Sequence, residues 1–190
     1  MLALDVADNE GRAVAQSCGA IYEHCDVGIA SDWQKVVTRL SDIGAPTNIH
    51  LNAGIQIAPP EAPLTEYQFD AMAIDRYRRM MSVNVDGVVF GLQALIPLLP
   101  SGSAIVVTAS LAGITPYSID PLYAMSKHAV VGLVRSLAPT LAERNIKINA
   151  ICPGGIDTGI IPEAQRTGDT IFMTPENVAA EVIRLMSVEE

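Results

Sequence analysis

Residues 110–127 read SLAGITPYSIDPLYAMSK. Tyr123 and Lys127 stand four apart, so on a helix their phenol and ammonium share one face. Ser110 lies thirteen residues before Tyr123, at the end of the apolar run SAIVVTA over residues 103–109. A continuous apolar run of this kind reads as a strand buried on both faces, which belongs in a parallel sheet covered by helices on either side. Strand, hydroxyl-bearing loop and Tyr–Lys helix thus form one α/β unit.

The same alternation extends outward in both directions. Upstream, residues 2–6 read as a strand, followed by a helix to about Ser17 and a second strand over 20–27. Ser31-Asp32 is placed to cap the next helix, whose Trp33, Val36, Val37 and Leu40 recur at helical spacing. Residues 48–51 form a short strand leading into Asn52-Ala53-Gly54. A Pro-rich loop (Pro59, Pro60, Pro63) precedes a long helix over about 70–99. Downstream, a strand over 146–151 runs into Cys152-Pro153-Gly154-Gly155. A last helix opens at Pro175 with Thr174 as its N-cap and ends near Met186. Pro139 removes a backbone donor inside the Tyr–Lys helix and predicts a kink or an end past Leu137. The pattern predicts a single α/β domain over 1–190: a Rossmann-like, doubly wound parallel sheet in three layers, α/β/α.

Composition narrows the function classes. With 190 residues and 49% apolar content, the chain is long enough for one buried core. A net charge of −9 argues against a nucleic-acid partner, which calls for clustered Lys and Arg. The apolar stretch 87–100 is too short to span a bilayer, and the first residues lack a secretory pattern, so no membrane partner is expected. Cys18, Cys25 and Cys152 are odd in number and lack metal or redox spacing, and the three histidines form no metal signature. Reduced thiols in a cytoplasmic protein without a metal are the expectation.

Five motifs in order carry a more specific reading. They are Asp26-Val27, Asn52-Ala53-Gly54, Asn84-Val85-Asp86-Gly87, Ser110 with Tyr123-x-x-x-Lys127, and Pro153-Gly154-Gly155-Ile156-Asp157-Thr158. Through them nearly the whole chain resembles the short-chain dehydrogenase/reductase family. The resemblance implies an oxidoreductase that moves a hydride between NAD(H) and a secondary alcohol or ketone. Tyr123 is then the acid/base and Ser110 the hydrogen-bond donor to the substrate oxygen. Lys127 tunes the phenol and holds the nicotinamide ribose, while Asn84 helps pass protons through an ordered water. For a phenol to act as base near neutral pH, its pKa must fall by about three units, roughly 4 kcal/mol. An ammonium about 4 Å away at intermediate dielectric supplies that much.

On the cofactor side, Asp5 at the end of the first strand is expected to bond the adenosine ribose and to disfavour NADP relative to NAD. The resemblance further places Asp26 and Val27 around the adenine and Asn52, Ala53 and Gly54 beneath the ribose. Pro153, Gly154, Ile156 and Thr158 belong to the nicotinamide side, with Ile156 and Thr158 holding the carboxamide. The chain departs from the family in lacking any Gly-x-x-x-Gly-x-Gly turn. The family's first strand and that turn belong upstream of Asp5, between the strands near Asp5 and Asn48, and a further strand belongs after Met186, where Glu189-Glu190 ends the sequence. Truncation at both ends is therefore expected. The alternative is a shortened, non-catalytic protein of the same fold that acts as a binding partner or scaffold.

The substrate wall is read as apolar: Leu111, Ile114, Tyr117, Ile160, Ile161, Phe172 and Met173. Arg166 is the one base able to swing toward a carboxylate. Tyr117 has no Lys four residues on, so it is assigned to the wall and not to the chemistry. Residues 129–137 are apolar around most of the helix, which predicts burial on a second side and a homodimer or homotetramer.

Overall fold

The computed structural model describes residues 1–166 and 171–187; Glu189 and Glu190 lie outside the described residues. Five short strands alternate with helices: β1 (Leu2–Asp5), α1 (Asp8–Ser17), β2 (Ile21–His24), α2 (Ala30–Ile43) and β3 (Asn48–Leu51). Then come α3 (Ile74–Met81), α4 (Gly87–Leu95), β4 (Ala104–Thr108), α5 (Pro121–Ala142), β5 (Lys147–Ile151) and α6 (Pro175–Ser187). Among the described residues every ladder is parallel. β1 pairs with β2, and β3, β4 and β5 pair in that order, while β1 and β3 share no ladder.

The apolar run of β4 explains the layering. Ile105 and Val107 point into a core with Trp33, Val36 and Leu40 of α2, Val88, Leu92 and Leu95 of α4, and Val130, Val131 and Val134 of α5. Val106 points the other way, onto Val182 of α6. Alternate side chains of one strand thus feed both faces, as the period of two requires. Leu2 and Leu4 of β1 pack against the larger core, so the two-stranded sheet joins the three-stranded one through side chains.

Three sequence expectations are corrected. The α2 helix begins at Ala30 with no side-chain cap. Asp32 instead accepts from the Asp26 amide at 3.1 Å and from Lys35 at 2.7 Å, tying the helix to the end of β2. Pro139 does not end α5, which runs on to Ala142. It lies on the exposed side, where water can take the carbonyl that loses its partner. Finally, α3 and α4 join through a π-helical segment, Ser82–Asp86, so that the helical run Ile74–Leu98 is long and apolar enough to cross a bilayer. Counting only from Gly87 missed this length. Its Met80, Val83, Val88, Leu92 and Leu95 are buried in the protein, which reads as a core helix.

Candidate active site

The ends of β1, β3, β4 and β5 open into one cavity of about 650 Å³. This is where ligands sit in open α/β sheets, outside the carboxyl ends of the strands. Asp5, Asp26, Val27, Asn52, Ala53, Gly54, Ser110, Tyr123, Lys127, Pro153, Gly154, Ile156 and Thr158 all line it, together with Leu111, Tyr117 and Ile160. Ile161 and Phe172 line it too, but Ile114 and Met173 do not; both are exposed.

Helix α5 delivers the central pair. Asp120 caps it by accepting from the Tyr123 amide at 2.8 Å, and Pro121 occupies the first turn, where no amide is needed. The other Asp120 oxygen accepts from the Ile57 amide at 3.0 Å, and the residue is fully buried. Burial raises its pKa, while its backbone donors oppose the rise. Asp120 therefore fixes the start of α5 against the loop that follows Asn52-Ala53-Gly54. Its place in an Asp-Pro pair ahead of an apolar helix was a readable capping signal; its second bond, 63 residues away, was not.

Lys127 is 3% exposed and donates to the Thr108 carbonyl at 3.0 Å. Among the described residues no carboxylate pairs with it. Burial pulls its ammonium down to about 8. Its Nζ lies over the Tyr123 ring, 5.6 Å from the centroid. Burial pushes the Tyr123 phenol up to about 12, with the Ser110 hydroxyl pulling the other way. The expected lowering of Tyr123 by Lys127 is thus absent in the protein alone. The ammonium is turned to a backbone oxygen and the ring face, and desolvation wins.

Asn84 stands behind the cavity, fully buried in the π-helical segment. Its Oδ1 accepts from the Ile55 amide at 2.8 Å. Its Nδ2 donates to the Ile55 carbonyl at 2.8 Å and to Ser126 Oγ at 3.0 Å. The side chain thus rivets the Asn52–Gly54 turn to α5. Ser126 was not singled out in the sequence. A Cβ at Gly54 would stand 3.1 Å from Lys127 Nζ, so the ammonium would have to give by a few tenths of an ångström. Gly87 must be bare for packing, since its Cβ would meet Val27 at 2.7 Å.

On the remaining rim, Asp5 accepts from the Ala7 amide at 2.9 Å through one oxygen. Asp26 accepts from the Gly28 amide at 3.0 Å and from Arg79 at 2.7 Å. Thr108 donates to Asn52 Oδ1 at 2.9 Å. Arg166 is not among the residues that line the cavity; it pairs with Asp157 at 2.6 Å and donates to the Thr158 carbonyl.

A parallel sheet flanked by helices, with its cavity at the carboxyl ends of the strands, defines an open, Rossmann-like class of α/β protein. Within that class the chain belongs to the short-chain dehydrogenase/reductase family. Residues 2–188 match the family described as enoyl-(acyl carrier protein) reductase. A (+)-borneol dehydrogenase from Salvia officinalis is 28% identical over 211 residues, covering 97% of this chain and 73% of that protein. A 3-alpha-(or 20-beta)-hydroxysteroid dehydrogenase from Mycobacterium bovis is 30% identical over 189 residues, covering 97% of this chain and 68% of the relative. A solved short-chain dehydrogenase from Burkholderia cenocepacia, in complex with NADP, superposes with a TM-score of 0.84 at 28% identity, over 99% of this chain and 80% of that one. The chain spans about two thirds of its curated relatives' length, and as little as 60% of one.

Proposed function

We propose that this chain is an oxidoreductase that moves a hydride between NAD(H) and a secondary alcohol or ketone, with Tyr123 as acid/base. The observation that carries the reading is Lys127: an ammonium 3% exposed, without a carboxylate, opening onto a cavity shared with Ser110 and Tyr123. A buried cation calls for acceptor oxygens. With one N–H given to Thr108, two remain for ribose hydroxyls, and the bare Gly54 keeps the approach open. The residues fit a dinucleotide on this test. Asp5, Asp26 and Val27 would hold its adenosine half, Asn52, Ala53 and Gly54 its ribose, and Pro153, Gly154, Ile156 and Thr158 its nicotinamide end. When bound, it supplies the hydride acceptor and a positive ring beside the phenol.

The protein's own groups do the rest. Tyr123 takes the carbinol proton during oxidation and returns it during reduction. Ser110 donates to the substrate oxygen and steadies the charge that develops there. Asn84 holds the Ile55 backbone and Ser126 behind the cavity, and its assigned part is to help pass protons through an ordered water. The wall of Leu111, Ile160, Ile161 and Phe172 suits an apolar skeleton, in keeping with the terpene and steroid alcohols named for the two relatives. A cytoplasmic setting fits three thiols that are all free.

The preference for NAD rests on Asp5, whose second carboxylate oxygen has no hydrogen-bond donor among the described residues, is open to a ribose diol and repels an added phosphate. Titrated with NADH and with NADPH while nicotinamide fluorescence is followed, the chain is expected to bind NADH at least tenfold more tightly, and Asp5→Ala to narrow the gap. Equal affinities would remove the NAD assignment. No binding of either would favour the non-catalytic reading.

The oligomer reading needs revision in detail. Most apolar residues of α5 are satisfied inside the chain, and the exposed strip is Met125, Ala129, Gly132 and Ser136. Small residues let a second helix approach closely, so a homodimer or homotetramer through this strip is the proposal. Light scattering is expected to give twice or four times the chain mass, and a monomer at micromolar concentration would end it.

A further inference from the structure

His50 does not line the cavity, yet it is tied to a residue that does. The register of β3 against β4 pairs His50 with Val106, and the period of two then sets His50, Asn52 and Thr108 on one face of the sheet. His50 Nε2 stands 2.9 Å from Thr108 Oγ1, and Thr108 Oγ1 donates to Asn52 Oδ1 at 2.9 Å. A hydroxyl has one proton to give. With that proton on the Asn52 side, Thr108 offers the imidazole only lone pairs, so His50 donates through its Nε2–H. The run has a direction, from His50 to Thr108 to Asn52.

That direction decides what Asn52 offers a ligand. Asn52 and Thr108 both line the cavity, and with Oδ1 held by Thr108 the Asn52 Nδ2 has no acceptor among the described residues. The Thr108 carbonyl also takes the Lys127 ammonium at 3.0 Å, so one residue steadies both donors. The reversed run, Asn52 donating to Thr108 and Thr108 to a bare Nε2, would turn the amide oxygen to the cavity instead. We propose that His50 is a positioning residue that acts through Thr108 to hold the Asn52 amide with its N–H groups toward the cavity, where they donate to an oxygen of the dinucleotide. This inference rests on the dinucleotide reading above and deepens it with a residue that never touches the ligand. Both bonds are open to water, so the effect on affinity is modest.

Two readouts test it. Nitrogen NMR of the free protein, with the imidazole neutral, is expected to find the His50 proton on Nε2; a proton on Nδ1 instead overturns the proposal. NADH titrations then compare the wild type with His50→Leu, which removes the donor, and His50→Gln, whose amide can donate from the same place. His50→Leu is expected to weaken NADH about fivefold, the worth of one such hydrogen bond. Its kcat at saturation should stay within about twofold of wild type, and so should the NADH affinity of His50→Gln. In an Asn52→Ala background His50→Leu should cost nothing further, because residues in one network are not additive. Equal affinities for the wild type and His50→Leu, a His50→Gln variant as weak as His50→Leu, or additive losses would each overturn the positioning role. If the wild type binds no NADH, the dinucleotide reading falls, and the Asn52 side-chain amide signals decide the positioning by themselves. Displaced in His50→Leu and restored in His50→Gln, they support it; unmoved, they end it.

Discussion

Tyr123→Phe is expected to lower kcat for alcohol oxidation by about 10²- to 10⁴-fold, the range that a positioned general base contributes, while leaving NADH affinity within about threefold of wild type. The phenol is 8% exposed, in the wall shared with Ser110 and Lys127, and its ring is already packed, so phenylalanine keeps the contacts and removes only the oxygen. The pH profile gives the finer check. Burial pushes the phenol up to about 12, so in the protein alone it stays protonated through neutral pH. Reduction, which needs the protonated phenol, is then flat between pH 6 and 8. Oxidation needs the phenolate and rises with pH over the same interval. The variant loses this rise along with its rate. Retention of more than a tenth of wild-type kcat would remove Tyr123 from the chemistry.

The second large effect is one of stability, and it runs opposite to activity. Lys127→Met is expected to abolish turnover and raise Tm at pH 7. The ammonium titrates near 8 in the folded chain against 10.5 ordinarily. Between those values the unfolded chain binds more protons, so stability rises as pH climbs from about 8 to 10.5. Below 8 the full cost of burying the charge is present. That cost is about 3 kcal/mol at 1.36 kcal/mol per pKa unit. Methionine fills the same volume without the charge and forfeits one hydrogen bond to Thr108, about 1 kcal/mol. A net gain of about 2 kcal/mol corresponds to roughly 4–8 °C in a chain of this size. Melting curves at pH 7 and pH 10.5 test it: the advantage should be clear at the first and nearly gone at the second. A variant less stable than wild type at pH 7 would show that Lys127 is not held against its own solvation.

How much of this was legible depended on whether a signal was local. Tyr123 and Lys127 could be paired from the chain because four residues on a helix is a fixed geometry. Strand β4 was read to within a residue at each end because its burial on both faces leaves an unbroken apolar run. The link from His50 to Asn52 left no trace of that sort. It runs through Thr108 only because residues 56 to 58 positions apart meet in one strand register, and neither periodicity nor capping encodes such a meeting. The pKa of Tyr123 failed for a related reason. Spacing put a positive charge nearby, but the direction of the shift was decided by burial and by where the Nζ was aimed. The helix runs past Pro139 because the cost of a lost backbone bond depends on which side of the helix faces water.

Asn84 shows what such double employment does to the interpretation of variants. Its carbonyl faces a donor, and its fully buried amide nitrogen faces a carbonyl and a hydroxyl. An aspartate would set oxygen against oxygen, and a leucine would strand both polar groups of Ile55. Only an amide satisfies that environment, whatever the reaction. Architecture therefore constrains this position before catalysis does. A dead enzyme made by changing Asn84 carries no message about proton transfer until its fold has been weighed separately.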